Sequence, residues 1–144
     1  MENALNVKAV WADEHLLEIR CVLRTSEWAG LATAYTTPQD LARFSEALAG
    51  FLRHCDGSVA FEAGADTGIG LIGFRVYPIN RARHIGCHLR LVGLARSGHR
   101  PEEIARLELE LRIEPSGLEK FARGLRNLAA TQEGEARLDL LSAA

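Results

Sequence analysis

Apolar and polar residues alternate along two long runs in the stretch Ala82–Pro115, ARHIGCHLRLVGLARSGHRPEEIARLELELRIEP. The first run places apolar residues at positions 85, 87, 89 and 91, and the second at 107, 109, 111 and 113. A period of two over this length is typical of half-buried β-strands. Ser97–Pro101, between the runs, is rich in turn-forming residues. The two runs are therefore predicted to form a β-hairpin whose apolar face needs a cover.

The charges of the two runs predict how the hairpin closes. If it closes about residue 99, Arg90 lies opposite Glu108 and His88 lies opposite Glu110. Opposite charges at facing positions of a sheet contribute only about 0.2 to 1 kcal/mol per pair. Their value here is that they indicate the register of the two strands.

Five further runs have strand-like patterns, and the first three are joined by short turns. In the first of them, Val7, Ala9 and Trp11 are predicted to share one face. Short connections make consecutive strands antiparallel. The C-terminal residues 131–144 are predicted to be a weakly structured tail or a short edge strand at 136–141. The five runs are 5–12, 16–24, 28–35, 59–63 and 69–77.

Two amphipathic helices are predicted, at 38–53 and 115–130. Thr37 suits the cap of the first helix, and both helices have a proline, Pro38 and Pro115, at the first helical position. Their apolar positions match at a constant offset of 77 residues, with 41, 44, 48 and 51 corresponding to 118, 121, 125 and 128. One interpretation is a degenerate duplication of a strands-then-helix unit. The other is the ordinary likeness of amphipathic helices that begin with proline.

These elements predict an α+β fold, in which one antiparallel sheet of six or seven strands carries both helices on one face. A chain of 144 residues with 47% hydrophobic content has the size of a single domain, spanning 1–144, that buries its own core. The three cysteines, Cys21, Cys55 and Cys87, lack CxxC spacing, which disfavours disulfides or a zinc site and fits a reducing compartment. With no leader-like start and no run of about 18 apolar residues, we expect a cytoplasmic protein that does not contact membranes.

Three motifs contain the residue types of chemical sites without the surroundings that such sites need. Gly68–Gly73 spells GxGxxG, but strand-like residues 74–78 follow where a dinucleotide site needs a helix. His54–Asp56 holds a histidine, a cysteine and an aspartate as neighbours, which point in different directions. His84 and His88 would lie about 13 Å apart on a strand, too far for one metal ion. We therefore expect no catalytic residues, no cofactor and no metal.

Charge is distributed unevenly, although the net charge is only −2. Residues 67–101, here called the basic island, hold six arginines and no acidic residue. Apart from Arg90, these arginines have no evident partner in the sequence. They are a candidate site for a protein partner or a small anion, and the alternative is a solvated surface of mixed charge. Nucleic acid is not expected, because the island has few aromatic residues for stacking. The candidate residues are Arg75, Arg81, Arg83, Arg96 and Arg100.

Several short stretches resemble those of small bacterial α+β proteins of unassigned function. The stretches are 11–18 (WADEHLLE), 28–30 (WAG), 35–37 (YTT) and 40–44 (DLARF). The resemblance implies a single-domain bacterial protein of the immunity or accessory type. It supplies no catalytic residue.

The sequence favours a non-catalytic binding module. We expect it to engage a protein partner through the sheet surface or the basic hairpin, or a second copy of itself through an uncovered strand edge, giving a homodimer. The alternative is a binder of a small anionic ligand, or an enzyme, with a pocket between sheet and helices and an arginine to hold the anion. That pocket would be lined by Trp11, Trp28, Tyr35 and Phe74.

Overall fold

A computed structural model describes residues 3–64, 70–80, 84–93 and 100–141. Within these residues, eight strands and two α-helices run in the order three strands, helix, four strands, helix, strand, with a short 3₁₀ turn at Pro101–Glu103. No helix among the described residues combines the length and the apolar content needed to cross a bilayer. The elements are β1 (Ala4–Ala12), β2 (Leu17–Arg24), β3 (Ala29–Thr36), α1 (Pro38–His54), β4 (Val59–Gly64), β5 (Gly70–Pro78), β6 (Ile85–Gly93), β7 (Ala105–Ile113), α2 (Pro115–Thr131) and β8 (Glu135–Asp139).

The strands form two antiparallel sheets of four strands each. The first sheet has the order β3-β2-β1-β8 and the second has the order β4-β5-β6-β7. The predicted α+β class and the antiparallel pairing are confirmed, whereas the prediction of one sheet with six or seven strands is wrong. The reason is that β4 pairs with the next strand, β5, and not with β3 on the other side of α1, while β8 returns to pair with β1 at the start of the chain. The apolar pattern within a strand shows which face is buried, but it does not show which strand is the neighbour.

The two halves of the chain repeat one order of elements. Each has a three-stranded meander, a helix of 17 residues and a last strand, and the helices begin 77 residues apart, at Pro38 and Pro115. Each helix is followed by a residue with left-handed backbone, Cys55 (φ 50°) and Gln132 (φ 59°). In each sheet the meander of one half is completed by the last strand of the other half. This topology agrees with the duplication hypothesis, which stays a prediction about origin.

The predicted hairpin is confirmed as β6 and β7, in the predicted register. Arg90 faces Glu108 and His88 faces Glu110. The imidazole of His88 also reaches diagonally, with Nε2 3.0 Å from Oε1 of Glu108. Near the C-terminal end of the described residues, the strand β8 (Glu135–Asp139) pairs with β1.

The start of α1 follows the capping pattern that the sequence predicts. The Thr37 hydroxyl accepts a hydrogen bond of 3.1 Å from the backbone N–H of Asp40, and Pro38 opens the first turn. The side chain of Glu114, the corresponding residue before α2, makes no such bond. The two helix starts therefore differ in their capping although their topology is the same.

One contiguous core contains side chains from both sheets and both helices. At its centre the ring of Phe74, on β5, contacts Phe44 of α1 and Phe121 of α2, with centroids 5.6 and 6.0 Å apart. Phe61 of β4 stacks on Phe44 at 4.7 Å. Phe74 is only 3% exposed. It joins the second sheet to both helices.

An irregularity in β1 turns Trp11 away from this core. The register of β1 against β2 shifts between Ala9 and Trp11, so Trp11 faces outward and is 48% exposed, while Val7 is fully buried. The predicted shared face of Val7 and Trp11 is therefore wrong. One inserted residue changes the side of the sheet for every residue beyond it.

Candidate functional site

Large apolar side chains at the surface are concentrated in the first meander. Among the described residues, the exposed large hydrophobic ones all lie between positions 11 and 35. Trp and Tyr are enriched at protein interfaces relative to the rest of the surface, so this cluster is the first candidate site. Its members are Trp11, Leu16, Trp28, Leu31 and Tyr35.

The outward side of β1–β3, here called the first outer face, arranges its side chains in rows across the strands. The ladder pairs Trp11 with Glu18 and Glu18 with Tyr35, and the two rings meet edge to face with centroids 6.3 Å apart. The next row pairs Arg20 with Lys8 and Thr33, and the following row contains Val22 and Leu31. A row with basic side chains therefore separates the exposed apolar side chains of Trp11 and Tyr35 from that of Leu31.

Hydrogen-bonded turns hold the residues at both ends of this meander. The carboxylate of Asp13 accepts bonds of 2.8 and 2.7 Å from the backbone N–H groups of His15 and Leu16, and these bonds hold the pKa of Asp13 below its usual value. At the other end the hydroxyl of Thr25 accepts a bond of 2.9 Å from the N–H of Trp28. Leu16 and Trp28 are therefore presented by ordered turns.

The free edge of β3 is covered near its middle. The backbone of Gly70, at the start of β5, lies so close to Thr33 that a Cβ on Gly70 would overlap the Thr33 carbonyl oxygen. The same Cβ would lie 2.8 Å from the carbonyl oxygen of Val92. A continuous extra strand cannot pair along this edge without moving Gly70, so the open surface of β3 is its outer face.

Trp28 lies away from the other aromatic residues, in a groove of about 320 Å³ between the β2–β3 turn, β7 and the C-terminal residues. Leu109, Leu111, Leu140 and Leu141 contribute apolar lining, and the backbone N–H of Leu141 donates to the carbonyl oxygen of Arg112.

The four residues of the predicted pocket therefore occupy three places. Trp11 and Tyr35 meet on the first outer face, Trp28 lines the groove at β7, and Phe74 is buried in the core. The structure does not bring them together between sheet and helices. Sequence patterns identified the aromatic residues, but they missed the bulge that reverses Trp11.

Two arginines of the basic island have partners that the sequence did not reveal. The guanidinium of Arg75 lies over the ring of Tyr77, 4.9 Å from its centroid, on the outward side of the second sheet. Arg100 forms an ion pair with Glu103 at 3.1 Å. The other three candidates, Arg81, Arg83 and Arg96, lie outside the described residues.

The outward side of the second sheet, here called the second outer face, has an open groove of about 590 Å³ over Gly73. Arg75, His88 and Arg90 line it, together with the acidic residues Glu62 and Glu108. Cations and acids thus alternate within the groove, and His88 and Glu108 already pair. A charged ligand in this groove would therefore have to compete with the oppositely charged side chains that already surround each charge.

A side-chain hydrogen bond fixes the neighbouring part of the second outer face. The hydroxyl of Tyr77 donates to a carboxylate oxygen of Glu110 at 2.6 Å. Burial, followed by this hydrogen bond, raises the pKa of Tyr77 to about 12. The ring also covers Gly86, where a Cβ would lie 2.7 Å from a ring carbon. Tyr77 therefore has a structural role here.

The structure also shows where the glycine motif, the cysteines and the potential metal ligands lie. Gly70 and Gly73 lie inside β5, which continues to Pro78 where a dinucleotide site needs a helix. Cys55 caps the end of α1. Burial raises the pKa of Cys21 and raises that of Cys87 to about 12, so neither thiol is a nucleophile at neutral pH. Within the described residues, no group of three or more potential ligands is arranged to hold a metal ion.

Sequence reasoning missed Leu31 as part of a surface. The signal was present, because Leu31 lies four residues before Tyr35 on the same strand and therefore on the same face. Leu31 is 56% exposed. Together the two side chains give β3 two exposed apolar positions.

Comparisons of this chain with protein-family models, with curated proteins and with solved structures find no match. The resemblance to small bacterial α+β proteins therefore stays a prediction, and functional inference rests on the geometry.

Proposed function

We propose that this protein is a non-catalytic module that binds a polypeptide partner through the first outer face. The support is an exposed aromatic and aliphatic surface on a rigid antiparallel meander. Trp11, Leu31 and Tyr35 are 48%, 56% and 40% exposed. Trp and Tyr are enriched among the few buried residues that supply most of the affinity of protein interfaces.

The observation that carries the proposal is a contrast between two strands with equivalent places in the fold. β3 and β7 each end a meander and lead directly into a helix, and the helices begin 77 residues apart. At this spacing, Leu31 of β3 corresponds to Glu108 of β7, and Tyr35 corresponds to Arg112.

The charged surface of β7 is what an exposed strand at a sheet edge usually has, since charge opposes aggregation. The fold therefore tolerates charged residues at these positions. β3 instead exposes large apolar side chains, which add a risk of aggregation without adding to the core. A surface that buries them against a partner accounts for this difference.

The contact between Trp11 and Tyr35 adds to the proposal. Each ring restricts the other in the unbound protein, so less side-chain freedom is lost when a partner covers them. The rigid meander beneath them limits backbone rearrangement in the same way.

Affinity isolation from the native cells tests this function. The tagged protein and a Leu31→Glu, Tyr35→Glu double variant serve as baits, and the recovered proteins are quantified by mass spectrometry. The matched control carries Glu108→Lys and Arg112→Glu on β7. We expect at least one protein to bind the unmodified chain and the control but to be lost from the β3 variant.

Circular dichroism and thermal unfolding first establish that all three baits are folded. Proteins recovered equally with the β3 variant, or lost only with the β7 control, would contradict the proposal. Because both variants change two exposed residues at equivalent positions, a general effect of surface substitution affects them alike.

A further inference from the structure

Apolar and basic side chains follow one another in a defined order along the strands of the first outer face. The apolar side chains of Trp11 and Tyr35 flank Glu18 in one row, and Leu31 lies in another. The row between these two contains Lys8 and Arg20. Leu31 and Tyr35 are four residues apart on β3, which places them about 13 Å apart with the basic row midway.

The basic side chains of this face are available to a partner. Lys8, Arg20 and Arg24 are exposed. Among the described residues no carboxylate forms an ion pair with any of them. Arg20 has a long hydrogen bond, 3.5 Å from its Nε to the hydroxyl of Thr33. Glu18 is the one acidic side chain that β1–β3 place on this face.

The fourth strand of the sheet changes this balance little. On β8 the side chains of Arg137 and Asp139 pair with each other at 2.7 Å, and Glu135 is the ladder neighbour of Lys8. Arg20, on β2, lies one strand further from β8 and keeps its positive charge in the row between Tyr35 and Leu31. Arg24 adds a second positive charge on the same face, beyond the row of Leu31.

We propose that the partner presents an acidic side chain between two apolar ones, spaced to match these three rows. This inference rests on the proposed function and specifies the chemistry of the partner segment. The segment lies across the face and does not extend the sheet, since Gly70 covers the edge of β3 at Thr33.

The same charges disfavour a second copy of this chain as the occupant. Two copies that met face to face about a twofold axis through the row of Lys8 and Arg20 would place these cations opposite one another. Like charges across an interface are unfavourable, whereas acidic side chains complement this row.

Selection from a displayed library of random 12-residue peptides tests the inference. The purified full chain is the target, and the Leu31→Glu, Tyr35→Glu variant removes peptides that bind elsewhere. We expect enriched peptides to carry Asp or Glu between apolar residues. Against an Arg20→Glu, Arg24→Glu target, the enriched charge should change to Lys or Arg. An Arg112→Glu target, altered on β7, should select the original acidic peptides.

Binding of one enriched peptide, measured by fluorescence anisotropy, gives the magnitudes. Arg20→Ala should weaken it by about two- to fivefold, the range for one exposed ion pair. Leu31→Ala or Tyr35→Ala should weaken it by about tenfold or more, as expected for an interface anchor.

The outcomes separate the two proposals. Peptides that require Leu31 and Tyr35 but carry no acidic preference would overturn the inference about charge and leave the proposed function standing. If no enriched peptide depends on Leu31 and Tyr35, both are contradicted. An unchanged charge preference against the Arg20→Glu, Arg24→Glu target would also overturn the inference.

Discussion

Replacing Phe74 by alanine is expected to be among the most destabilising single changes in this protein. The ring is 3% exposed and contacts both helices through Phe44 and Phe121, so its loss leaves a cavity where the second sheet meets the helices. Substitution of a buried Phe by Ala costs about 3 to 5 kcal/mol. For 144 residues, an unfolding entropy of about 0.3 kcal/mol/K converts this loss into a Tm lower by about 10 to 16 °C.

Tyr35→Ala is the matched control, because Tyr35 is an aromatic residue that the sequence assigned to the same pocket as Phe74. It is 40% exposed and has one aromatic contact, with Trp11, so we expect a loss of at most about 1.5 kcal/mol. Urea unfolding followed by circular dichroism measures both, with Phe74→Leu as a milder variant that retains more of the core. Equal losses for Phe74→Ala and Tyr35→Ala would refute the buried position of Phe74.

Three further results are expected from other sites. Gly70→Ala should lower the free energy of unfolding by about 1 to 3 kcal/mol, because its methyl group would overlap the β3 backbone. Gly73→Ala, whose Cβ would have ordinary contacts of 3.5 Å or more, should lower it by less than about 0.5 kcal/mol. Equal losses in urea unfolding would contradict the close approach of Gly70 to β3. Thr37→Ala removes a helix cap and should lower the free energy of unfolding by about 1 kcal/mol. Glu114→Ala removes no cap bond and should change it little. A larger loss for Glu114→Ala than for Thr37→Ala would contradict the capping. In a spectrophotometric titration Tyr77 should ionise near pH 12 in the folded protein. Its contribution to the stability of the folded state is complete below the usual tyrosine pKa near 10 and should be lost as pH rises through 12. Ionisation near pH 10 while the protein is folded would contradict its hydrogen bond.

Local features of this fold follow from the sequence, because they depend on neighbours along the chain. The alternation in β6 and β7 predicts the hairpin, and the charge pairs predict its register, including Arg90 opposite Glu108. Thr37 and Pro38 predict the start of α1 for the same reason. In each of these the determining contacts join residues a few positions apart or across one turn.

The division into two sheets does not follow from the sequence, because it depends on β3 and β4 joining different sheets on either side of α1 and on the long-range pairing of β8 with β1. Alternation fixes which side of a strand is buried and carries no information about its neighbour. For the same reason the sequence did not show that Gly70 approaches Thr33.

The sequence identified several residues of the candidate site but did not predict where they lie relative to one another. Trp11, Trp28 and Tyr35 were identified from the sequence as residues of a binding site, but the pattern placed them inside with Phe74. The bulge near Trp11 and the outward phase of Tyr35 put two of them on the surface. The contrast between Leu31 and Glu108 becomes informative only once β3 and β7 are known to be equivalent in topology.

Photo-crosslinking in the native cells is the most direct test of the central claim that the first outer face binds a polypeptide partner. A benzophenone amino acid is introduced in turn at positions 31 and 35 on β3 and at the equivalent positions 108 and 112 on β7, with the rest of the chain unchanged. We predict covalent adducts of one polypeptide partner from positions 31 and 35 and none of that partner from 108 and 112. Adducts that form from the β7 positions instead, or an absence of adducts from both β3 positions, would contradict the claim.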